Sequence, residues 1–120
     1  MKYLNYFENN RFSDNDYYQE IESDEWDEFE VIKMSDSTIS KINKLSPFQF
    51  TSQGNGLYLN IPINLQSTSP FNYINLYEGE DEYFYAGIGK IDIGYDVECL
   101  FKCDQLEGLK VLLNKIYHEL

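Results

Sequence analysis

The 120 residues carry 21 acids against 9 bases and one histidine, for a net charge of −12; such a chain repels nucleic acid and anionic lipid and is drawn to basic protein surfaces. Aromatic residues make up 17% of it, too many for a disordered acidic tail, and the length suits one domain that buries roughly two thirds of its extended-chain surface. No apolar run approaches the ~18 residues of a bilayer span, and the opening MKYLNYFENNRF lacks a signal-peptide core, so a cytoplasmic location is expected.

In chain order, residues 1–13 are expected to fray. Tyr17–Ile21 reads as a short strand between acids. Ser23 offers a helix cap for Asp24-Glu25-Trp26-Asp27-Glu28-Phe29, whose carboxylates suit the positive end of the helix dipole and whose Trp26 and Phe29, three apart, share a face that docks it. Ser35 or Asp36 caps a second helix in which Ile39, Ile42 and Leu45 recur at helical spacing until Pro47. The period then changes to two. Phe48 and Phe50, the punctuation Gln53-Gly54-Asn55-Gly56, and the alternating Leu57, Leu59, Ile61 and Ile63 predict a hairpin, edged or bulged at Pro62.

Phe71–Tyr77 and Glu82–Ile88 predict a second hairpin across Gly79, with Glu78, Glu80, Asp81 and Glu82 at its tip. Apolar residues then occupy every odd position from Ile91 to Cys103, the pattern of one half-buried strand or of two joined near Gly94. Asp104 and Gln105 cap a last helix with a buried stripe of Leu106, Leu109, Leu113, Ile116 and Tyr117, flanked by Leu112 and Leu120; Gly108 within it implies a close approach to the sheet. The expected fold is therefore α+β: a single antiparallel sheet of four or five strands, one face covered by the middle and C-terminal helices.

Recognisable catalytic and metal-binding patterns are missing. His118 is the lone histidine, Gly87-Ile88-Gly89 is not followed by a third glycine, and Asp14-Asn15-Asp16 lacks the central Gly of a calcium loop. Cys99 and Cys103, four apart on one strand face, would lie about 13 Å apart at ~3.3 Å per residue, beyond the ~7 Å a disulfide spans; they read as buried thiols. Asp92, Asp96 and Glu98 read as a solvated row on the outer face of one strand. The nine bases are scattered, which argues against phosphate binding. Neither an enzyme nor a cofactor nor a metal is expected.

The informative asymmetry is in the charge. Residues 1–30 hold 10 acids and 2 bases, net −8, whereas residues 31–120 hold 11 acids and 7 bases, net −4. Asp14, Asp16, Glu20, Glu22, Asp24, Glu25, Asp27, Glu28 and Glu30, joined by Glu80, Asp81 and Glu82, form the expected partner-binding surface, with Trp26 as an anchor where exposed and Tyr17, Tyr18 and Phe29 interleaved. Carboxylates spaced this way can imitate duplex phosphates and enter the basic groove of a nuclease. The competing reading is an ordinary acidic surface kept for solubility.

The opening MKYLNYFENN, the Asp81-Glu82-Tyr83-Phe84-Tyr85 strand and the segment Phe101–Leu113 resemble small bacteriophage-encoded proteins of uncharacterised activity. The resemblance implies a host-interaction or counter-defence protein in the host cytoplasm and assigns no residue a role. The expectation is a non-enzymatic inhibitor, in the manner of a nucleic-acid mimic, of a basic nucleic-acid-handling protein. The alternatives are an immunity protein neutralising a basic nuclease toxin, by the same electrostatics, and a virion structural or assembly protein that self-associates through a strand edge.

Overall fold

A computed structural model describes residues 16–61, 72–92 and 95–118, the side chains of 90–98 excepted. The strands are β1 (Tyr18–Ile21), β2 (Val31–Ile32), β3 (Thr51–Gln53), β4 (Gly56–Asn60), β5 (Tyr73–Gly79), β6 (Phe84–Asp92) and β7 (Tyr95–Cys103); the helices are α1 (Ser23–Glu28), α2 (Asp36–Leu45) and α3 (Gln105–His118). All seven strands join one antiparallel sheet in the order β1-β7-β6-β5-β4-β3, and β2 pairs with β5 beyond the end of β4. The fold class is thus the expected α+β, but with seven strands in place of four or five. Three of the seven are strands of two to four residues: β1 falls within the segment read as a short strand, whereas Val31–Ile32 is too short to carry a period of its own. The expected fraying of 1–13 and the bulge at Pro62 lie outside the described residues.

Local chemistry accounts for the best-defined elements. Ser35 caps α2 by accepting the Thr38 amide at 3.2 Å, and its hydroxyl donates to Thr38 Oγ1 at 3.0 Å. After Pro47 the chain is tied back to the helix, the Phe50 amide donating to Asn43 Oδ1 at 2.8 Å. Gly54, at φ +60°, makes the two-residue turn between β3 and β4. Helix α1 begins at Ser23 itself, with Glu22 in the cap position and no side-chain capping bond.

The pleat separates two faces. Ile74 and Leu76 of β5, Phe84, Ala86 and Ile88 of β6, and Cys99, Phe101 and Cys103 of β7 line the inner face, covered by Ile42 of α2 and by Leu109, Leu112, Leu113 and Ile116 of α3. Leu112 belongs to the buried stripe rather than to its flank, and Tyr117 is 44% exposed. Both cysteines are buried and outside any disulfide, as expected of thiols on one strand face. Asp92 lies on β6, whereas Asp96 and Glu98 lie on β7, so they do not form one strand's row; β6 ends at Asp92 and β7 begins at Tyr95, which divides the odd-numbered alternation between two strands with Ile91 opposite Asp96.

Only one covered face was expected. The outer face also carries a cluster, Ile21, Tyr85 and Leu100, roofed by Trp26, Phe29 and Tyr77. Phe29 stacks on Tyr85 with ring centroids 3.7 Å apart, and Trp26 meets Phe29, Tyr77 and Tyr85 edge to face. Aromatic pairs of this kind contribute about 0.5–1.5 kcal/mol each beyond area burial. They hold a six-residue helix too short to be stable by itself.

Candidate acidic interface

Helix α1 docks by Trp26 and Phe29 and leaves every carboxylate around them in water: Glu22, Asp24, Glu25, Asp27, Glu28 and Glu30 are all exposed. The chain then pairs as β2 with the end of β5, Val31 opposite Gly79 and Ile32 opposite Glu78. Next to this pairing, the Glu80 amide donates to the Glu30 carbonyl at 2.8 Å. Two acidic segments some fifty residues apart are thereby sewn side by side, and exposed Glu80, Asp81 and Glu82 continue the row begun on α1.

The hairpin turn is held rigidly. Asp81 accepts the Tyr83 amide through Oδ1 at 3.1 Å and the Tyr85 hydroxyl through Oδ2 at 2.6 Å, so its carboxylate positions the turn as well as charging it. Glu82 follows in the left-handed region at φ 72°, a conformation that costs a non-glycine residue on the order of 1 kcal/mol and projects the side chain from the tip. At the margin of the row, Lys102 Nζ lies 3.9 Å from Glu25 and 4.2 Å from the centre of the Tyr83 ring.

Asp16, exposed at the start of β1, lines a small cleft with Tyr83 and Lys102 and so adjoins the same surface. Glu20 does not. It is half-buried and in register with Phe101, which puts it on the inner side of the edge strand, away from the α1 carboxylates. Asp14 lies outside the described residues. Of the aromatics read as anchors, Tyr18 is 4% exposed and packs edge-on against Phe101 in the main core. Phe29 is taken up by Tyr85, and Trp26 is half-buried, whereas Tyr17, Val31, Ile32 and Tyr83 remain exposed around the carboxylates.

Sequence reading missed the outer-face residues that build this surface: Tyr77, Tyr85 and Lys102. Their one signal was Tyr73, Asn75 and Tyr77 alternating with Ile74 and Leu76, which marks a second aromatic face on β5. Among the described residues no group of three or more His, Cys, Asp or Glu side chains is arranged to hold a metal, and no helix is long and apolar enough to cross a membrane.

Burial, the hydrogen bond to Asp81 and the nearby Asp81 and Glu25 charges all push the Tyr85 phenol above its ordinary value; burial alone does the same to the Cys103 thiol. Both groups stay protonated in the folded chain at a pH where the unfolded chain has lost those protons. Their stabilising contribution is therefore complete at neutral pH and declines as pH rises past the unfolded values, first for Cys103 and then for Tyr85. These two groups by themselves should lower the unfolding free energy by about 1.4 kcal/mol per pH unit above ~pH 9 and roughly twice as steeply above ~pH 10. Urea titrations from pH 8 to 11 measure this, and Tyr85→Phe should remove only the steeper part.

The fold and this surface define an α+β domain with one antiparallel sheet and an acidic outer margin. No family model, curated protein or solved structure matches the chain.

Proposed function

We propose that this protein is a non-enzymatic inhibitor that binds a basic, nucleic-acid-handling protein of a bacterial host through its acidic margin, acting as a phage counter-defence factor. The observation that carries the reading is the bond from the Glu80 amide to the Glu30 carbonyl, which merges two carboxylate groups distant in sequence into one surface. Charge kept merely for solubility has no need of such an arrangement; a surface that must match the phosphate rows of a duplex does. The exposed Val31 and Ile32 inside the acidic row offer apolar contact once water is excluded. The backbone around the row is fixed by strand pairing and by Asp81, so little ordering cost accompanies binding.

Affinity capture from host-cell lysate, carried out at low and at high salt with the captured proteins identified by mass spectrometry, tests this. A basic nuclease or other nucleic-acid-binding protein, retained at low salt and released at high salt, is the expected result. A partner held equally at both salts would indicate an apolar interface, and recovery of the protein alone would leave the acids as a solubility feature of a self-associating chain.

A further inference from the structure

The outer face holds a cleft of about 730 Å³ beside the acidic margin, where β2 gives way to β4 along the edge of β5. Trp26 of α1 and Phe29 just after it form one wall, and Tyr77 and Tyr58 line the sheet side. Gly56 makes room for this arrangement, since a Cβ there would meet the Leu76 carbonyl and stand 2.7 Å from the Tyr77 ring. The lining also includes the polar residues Gln53, Asn55, Asn75 and Asp27 and, among the described residues, no lysine, arginine or histidine.

We propose that this cleft receives an arginine side chain of the partner, together with the loop that carries it. The inference rests on the reading of a basic partner and specifies how part of that partner is recognised. Aromatic faces attract a guanidinium, amide oxygens and a carboxylate accept its fan of donors, and nothing in the lining repels it. The protein already uses this chemistry internally: Lys102, which lines the smaller cleft, lies over the Tyr83 ring with its Nζ 3.9 Å from the Glu25 carboxylate. The larger cleft presents the same combination of aromatic ring and carboxylate with no cation among its described lining residues. Its volume, several times that of one side chain, leaves space for the flanking backbone. A planar guanidinium suits it better than an ammonium, because three amides around aromatic walls can accept several in-plane bonds together.

Trp26, the single tryptophan of the chain, lines the cleft and reports on it. The test titrates the intact protein with three Gly/Ser peptides that differ at one central residue, arginine, lysine or the neutral isostere citrulline, and follows tryptophan fluorescence. The arginine peptide should give a saturable change, with the lysine and citrulline peptides about tenfold weaker, and Asp27→Asn should weaken the arginine peptide about fivefold. Asp27 is exposed, so this variant keeps the fold. Equal responses to arginine and lysine would reduce the effect to general attraction by the acidic margin, and an equal response to citrulline would make the cleft a site for neutral ligands; either overturns the proposal. Arginine selectivity without a basic protein in the lysate capture would retain the cleft and reject the inhibitor reading, and the reverse pattern would do the opposite.

Discussion

Replacing Gly108 with valine is expected to destabilise the domain by about 3 kcal/mol, and with alanine by about half as much. Helix propensity alone predicts the opposite sign for alanine, which exceeds glycine by roughly 1 kcal/mol within a helix. Packing decides the outcome. A Cβ on Gly108 would collide with the carbonyl oxygen of Tyr17 and lie 3.1 Å from its carbonyl carbon. That carbonyl cannot swing aside, because it accepts the Asp104 amide at 2.8 Å at the entry to α3, and Tyr18 next to it is buried against Phe101. The side chain must therefore push α3 away from the start of β1 and disturb the pairing of β1 with β7. Urea denaturation measures the change, with the exposed neighbour Glu107→Ala as a control expected to fall within about 0.5 kcal/mol of the parent. A gain in stability for Gly108→Ala would mean that β1 is not docked on α3, and the placement of the acidic segment that follows β1 would lose its foundation.

What the sequence made legible follows from the range of the interactions involved. Helix α2 could be read because its cap, its apolar spacing and its stop at Pro47 all lie within thirteen residues. The hairpin across Gly79 and the common face of Cys99 and Cys103 follow from period-two alternation and were equally accessible. Strand β2 was not legible: two exposed residues have no periodicity, and only pairing with distant Gly79 and Glu78 makes them a strand. Nor was the outer aromatic cluster, since Trp26 and Phe29 announced a docking face without naming Tyr77 and Tyr85 as its receiver. The candidate interface divides in the same way. Its carboxylates are plain in the composition, but the separation of Glu20 from the rest, the burial of Tyr18 and the fusion of the two acidic segments all arise from long-range pairing.

Reversing Asp24, Glu25, Asp27 and Glu28 to lysine should leave the domain folded and lower affinity for the captured basic partner by at least ~100-fold at low salt. The fold survives because these side chains are exposed while Trp26 and Phe29 hold the helix. Among the described residues the ion pair lost is Glu25 with Lys102 at 3.9 Å, a long contact at the surface that contributes little. Lysines in the first turn oppose the helix dipole, at a cost of about 0.3–1 kcal/mol each, which should appear as a modest shift in the urea midpoint with unchanged cooperativity. The binding loss is larger because attraction becomes repulsion at four positions on one surface. Salt separates this electrostatic effect from local unfolding: raising it to ~0.5 M shortens the screening length to a few ångströms and should draw the parent and reversed proteins towards the same weak affinity, whereas an unfolded variant would stay inactive at every salt. Substitution by Asn and Gln at the same four positions should fall between the two. A reversed protein that retains its partner at low salt would place the interface elsewhere, and the exposed Tyr17 and Val31–Ile32 surfaces would be the next to alter.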